Sequence, residues 1–80
     1  MDVKTISASL RSELELSEVE ALVDGNHVSV TVVGEIFEGL RAVQRQQKIY
    51  GVLNELIASG AIHAVNIKAY TPAEWAELRA

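Results

Sequence analysis

The chain has no cysteine. It therefore forms no disulfide and brings no thiol of its own as nucleophile, redox couple or soft metal ligand. This suits a reducing compartment, and the cytoplasm is the expected location. Proline is scarce too, with one residue, and five glycines stand against 49% hydrophobic and 22% charged residues. That composition excludes a disordered tail and points to an ordinary globular domain. No stretch approaches the ~18 consecutive apolar residues of a membrane span. The opening "MDVKTISASL" lacks the charged-then-apolar layout of a secretory leader, so no membrane association is expected. Cations are outnumbered: the net charge of −4 and pI near 5.0 argue against strong non-specific attraction to nucleic acid or anionic lipid.

Motifs of catalysis are missing as well. There is no G-x-S-x-G elbow, phosphate-binding loop or H-E-x-x-H pair. Serines 7, 9, 12, 17, 29 and 59 read as helix-surface, cap or strand residues, and Glu35 with Glu38 is a weak acid-base pair. The expectation is a protein that is not an enzyme.

Eighty residues make one domain, spanning 1–80, and a chain of this size buries only about 60% of the surface its unfolded form exposes. Val3, Ile6, Leu10 and Leu14, spaced by three and four, predict an amphipathic first helix that Asp2 would cap. From Ser17 the period becomes two: Val19, Ala21 and Val23 alternate with Glu18 and Glu20. Asp24-Gly25-Asn26 supplies turn chemistry, and "HVSVTVV" returns as a second β-branched strand, so residues 17–33 form a hairpin. Phe37, the only phenylalanine, plugs the core from the connector "GEIFEG".

Leu40 to Ser59 carries the longest helical pattern, with Val43, Tyr50, Leu53 and Ile57 on one stripe, Leu56 beside it and Gly60 as terminator. Gly51 in its middle marks close packing or a bend. "AVNIKAY" (64–70) alternates as a third strand. In "TPAEW", Thr71 caps a last helix with Pro72 in its first position and Glu74 three beyond the cap; Trp75 and Leu78 would pin it to the sheet. The order α-β-β-α-β-α, with a crossover helix between strands two and three, predicts an α+β fold: a three-stranded mixed sheet covered by helices.

Two histidines remain for chemistry. His27 opens the second strand and His63 stands at the entrance of the third, so parallel pairing of those strands puts both at one end of the sheet. By spacing alone, His63 shares parity with Val65 and Ile67 and reads as a packed core residue, and His27 as a solvated loop residue. If both do bind metal, they fill two positions where zinc takes three or four protein ligands and a 2Fe-2S cluster four. An iron-sulfur site would then be shared with a partner that brings thiolates. Arg41, Arg45 and Lys48 form a basic stripe on the exposed side of the long helix, a solvated face or a contact for an acidic partner or nucleic acid.

The stretches "HVSVTVVGEIFEG", "QRQQKIYGVLNELI" and "IHAVNIKAYTPAEW" together resemble the BolA family, in particular its bacterial acid-stress, IbaG-like (YrbA-like) subgroup, over nearly the whole chain. The resemblance implies a class II KH-like (BolA-like) fold. It further implies pairing with a monothiol glutaredoxin, without metal or around a bridging 2Fe-2S cluster. In that arrangement His63, from the "IHA" element, and His27, from the loop before strand two, are metal ligands; a glutaredoxin cysteine and a glutathione thiol complete the four. The implied role is iron-sulfur cluster trafficking or iron and stress sensing, with no cofactor in the isolated chain. The alternative is a nucleic-acid-binding transcriptional regulator that uses the long helix. Many members carry an R-H-R triplet where this chain has Arg45-Gln46-Gln47, and the G-x-x-G loop by which KH relatives grip single strands is absent. Homodimerisation of the free protein is left open.

Overall fold

The computed structural model describes residues 3–79. Helix α1 (Val3–Glu13) leads into strands β1 (Glu18–Asp24) and β2 (His27–Val33). A 3-10 turn (Glu35–Phe37) and helix α2 (Ala42–Ala58) follow, then strand β3 (Ala64–Tyr70) and helix α3 (Pro72–Arg79). The predicted order is the observed one; the Asp2 cap lies outside the described residues. The sheet runs β1-β2-β3, antiparallel between β1 and β2 and parallel between β2 and β3. Gly25 makes the hairpin possible: at φ 63 in the first central position, with no positive φ at Asn26, it gives a turn of II′ type whose twist matches the strands.

Register places Val23–Val28–Val65, Ala21–Val30–Ile67 and Val19–Val32–Ala69 side by side, and these rows face α1 and α2. Between sheet and helices lie Ile6 and Leu10 from α1, Val28, Val30 and Val32, Phe37, Ile49 and Leu53 from α2, and Ile62. Each such large side chain contributes about 1.5–3 kcal/mol of burial, which is how so small a domain holds together without a disulfide.

Two faces differ from the sequence expectation. On α2 the buried stripe is Ile49 and Leu53, flanked by Val52, Leu56 and Ile57, whereas Val43 is 63% and Tyr50 41% exposed. Val43, Tyr50 and Ile57 recur at intervals of seven and share a line, but Ile49 and Leu53 lie on a line roughly 90° away at 100° per residue, and packing selected that one. On α3, Leu78 is 61% exposed. Arg79 instead shares the sheet-facing side with Trp75: its guanidinium lies 5.6 Å over the indole and 3.7 Å from the Glu18 carboxylate. Trp75 in turn stacks at 5.6 Å on Tyr70. Helix α3 thus crosses the outer face over the row Glu18–Val33–Tyr70, which accounts for Val33 being buried outside the main core.

Gly51 does not pack closely: α2 runs unbroken past it, and a Cβ there would meet nothing within 4 Å. Gly34 is the closely packed glycine, since a Cβ there would come to 2.8 Å from the Glu15 carbonyl oxygen.

Candidate functional site

The end of the sheet that carries the hairpin turn collects both histidines. His27 is the first residue of β2 and pairs in register with Ala64, so His63 is its neighbour one step before β3. The His63 N–H donates to the Asn26 carbonyl at 2.9 Å, and that oxygen also lies 3.5 Å from the Ala64 nitrogen. One carbonyl at the hairpin turn therefore clamps the loop that bears the second histidine.

That loop is shaped by the end of α2. Gly60, at φ 82 in the left-handed region, donates its N–H to the Ile57 carbonyl, and Ile62 donates to Leu56, which closes the helix. The closure aims Ile62, 2% exposed, into the core and the next side chain outward. His63 is exposed, not the packed core residue that parity with Val65 suggested, because β3 begins at Ala64 and Ile62 fills the apolar position. Its Nε2 lies 4.0 Å from where a Cβ on Gly60 would stand. His27 is exposed as well.

His27 and His63 are both exposed at neighbouring backbone positions, and an exposed imidazole can supply one nitrogen to a borderline metal such as iron. Among the described residues no three of His, Cys, Asp and Glu gather closely enough to hold a metal ion. Glu35 and Glu38 are both exposed.

The basic stripe is broken in its middle. Arg41 and Lys48 are exposed, but the Arg45 side chain is 14% exposed and held by four hydrogen bonds. Its Nε donates to the Leu40 carbonyl at 3.0 Å, and Nη1 to the Ala69 carbonyl at 3.0 Å. Nη1 and Nη2 also reach the two oxygens of Glu74, at 2.6 and 3.4 Å. Glu74 doubles as the cap partner of Thr71: its Oε1 accepts the Thr71 N–H at 2.8 Å while Thr71 Oγ1 accepts the Glu74 N–H at 3.2 Å. Hydrogen bonding from Arg45, then from the Thr71 backbone, holds the Glu74 carboxyl below its ordinary range. Arg45 belongs to the anchorage of α3, a role that helical spacing alone does not reveal because Glu74 approaches from another element.

A model of the BolA-like protein family matches residues 2–74. The chain belongs to the BolA family. Over 79 residues this BolA-family chain is 51% identical to acid stress protein IbaG of Escherichia coli K12, covering 99% of the chain and 94% of that protein. A BolA homologue from Coxiella burnetii has a solved structure that superposes with a TM-score of 0.83 at 32% identity, covering 95% of this chain and 97% of that one. BolA1 from Arabidopsis thaliana superposes at 0.80 with 31% identity, covering 89% and 92%. The fold is the BolA fold. Among the described residues no helix is long and apolar enough to cross a membrane.

Proposed function

We propose that this BolA-family chain is a non-enzymatic cytoplasmic partner of a monothiol glutaredoxin and shares a 2Fe-2S cluster with it, serving cluster trafficking or iron and stress sensing. The single observation that carries this reading is the clamp at Asn26. It holds His63 beside the start of β2, where His27 stands, with both side chains open to solvent in a chain without thiols. A 2Fe-2S cluster needs four protein or thiol ligands and tolerates two imidazoles on one iron. His63 and His27 would supply those two, and the glutaredoxin cysteine and a glutathione thiol the others. The cluster supplies the redox and transfer chemistry; this chain supplies two nitrogens and a docking end.

The test is reconstitution of the mixed proteins with iron and sulfide in the presence of glutathione, followed by visible absorption and circular dichroism. The expected result is a spectrum distinct from that of glutaredoxin alone, lost in His63→Ala while the cluster-free complex still forms. A spectrum unchanged by His63→Ala sinks the ligand assignment.

A further inference from the structure

Strand β3 ends the sheet, and hydrogen bonds at its far end show which of its groups face outward. The Tyr70 carbonyl accepts from Gly34 on the β2 side, whereas the Ala69 carbonyl accepts from Arg45 on the open side. Main-chain direction alternates along a strand, so Val65 and Ile67 also turn their N–H and C=O groups to the open edge. Neither residue has a hydrogen-bond partner there among the described residues. Beside them runs a groove of about 620 Å³, walled by Gln46 and Tyr50 of α2 and by Ser29 and Asn66 on the uncovered face of the sheet.

Both ends of this open lane are closed. At one end Arg45 occupies the Ala69 carbonyl; at the other the His63 N–H is spent on Asn26. Between these two ends lie Val65 and Ile67, placed symmetrically about Asn66.

We propose that this lane is the seam of a two-fold dimer, in which β3 pairs antiparallel with β3 of a second copy about Asn66. Val65 then faces the partner's Ile67 and exchanges both N–H···O bonds with it, and the symmetric pair does the same. The Val65 and Ile67 N–H groups of both copies find acceptors, with Arg45 and the His63 clamp undisturbed. Centring on Ile67 instead would bring the partner's Val65 onto Ala69, where the guanidinium sits. A second copy suits the lane because the lane is its own complement. Asn66, exposed and uncharged, meets the partner's Asn66, and an amide can both donate to and accept from another amide. Lys68, the strand's one charge, falls beside the partner's Ala64 and not beside another cation. Tyr50, 41% exposed in the single chain, gains cover at the seam. The contact is small, so the association is weak and concentration-dependent.

Sedimentation equilibrium up to about 1 mM protein, paired with amide hydrogen exchange at low and high concentration, tests the seam. The expected result is a reversible dimer in which the Val65 and Ile67 amides gain protection as concentration rises. Asn66→Asp, a change at an exposed position, sets two carboxylates face to face and should raise Kd roughly fivefold or more, an effect relieved by salt. Asn66→Thr, which allows a favourable threonine pair, should leave the dimer intact. A protein monomeric throughout, or a dimer indifferent to Asn66→Asp and without added protection at Val65 and Ile67, overturns the proposal.

Discussion

The carbonyl of Asn26 and the N–H of His63, 2.9 Å apart, tie the hairpin turn to the loop that closes α2. Because the acceptor belongs to the main chain, the side chain at 26 is dispensable for it. Asn26→Ala should therefore leave the His63 amide slow to exchange with solvent despite the exposure of its imidazole. Amide exchange by NMR checks this, and a His63 amide as fast as the loop average would show the clamp to be absent in solution.

Two glycines of α2 and its terminus should respond with opposite sign. Gly51 faces open space inside a helix, so Gly51→Ala raises stability by about 1 kcal/mol. Gly60 sits at φ 82, and Gly60→Ala costs about 1–2 kcal/mol for the left-handed conformation. The added methyl also reaches His63 Nε2, so this variant should disturb the His63 ring resonances where Gly51→Ala does not. Urea denaturation of both variants gives the stabilities.

Acid should loosen α3. Glu74 is held below its ordinary pKa by Arg45 and the Thr71 backbone. A depressed carboxyl contributes stability that is fully present above its unfolded value and lost as pH falls through the folded one. Glu74→Gln should therefore flatten the acid limb of a plot of Tm against pH and change Tm least at its most acid end. Arg45→Met, which also strips donors from the Leu40 and Ala69 carbonyls, should cost more than Glu74→Gln at neutral pH.

Phe37 is fully buried at the centre of the core. Phe37→Ala should cost about 3–5 kcal/mol, a large part of the roughly 4–12 kcal/mol such a domain commands. The variant should show a broadened or incomplete thermal transition by circular dichroism, whereas a sharp transition near the parent Tm would mean that the core does not depend on this ring.

Much of this architecture is legible in one dimension because its causes are local. Alternation of valines with Ser29 and Thr31 marks β2, Gly25 marks the turn, and Thr71-Pro72 with Glu74 marks the start of α3; each works through neighbours a few residues away. The interior face of α2 is different. Periodicity offers two lines, one through Val43 and Tyr50 and one through Ile49 and Leu53, and only the shape left between α1 and the sheet chooses. The same holds for Arg45, whose spacing suggests a solvent-facing cation until Glu74 arrives from beyond β3.

The histidine pair divides along the same line. By itself the sequence determined that two imidazoles and no thiol are present, and that strand order brings their segments to one end of the sheet, since composition and period need no third dimension. That His63 points outward was decided only in the tertiary structure. The reason is steric and electrostatic at once: Gly60 turns the chain so that Ile62 takes the apolar place, and the Asn26 carbonyl satisfies the N–H that would otherwise be left open beside it.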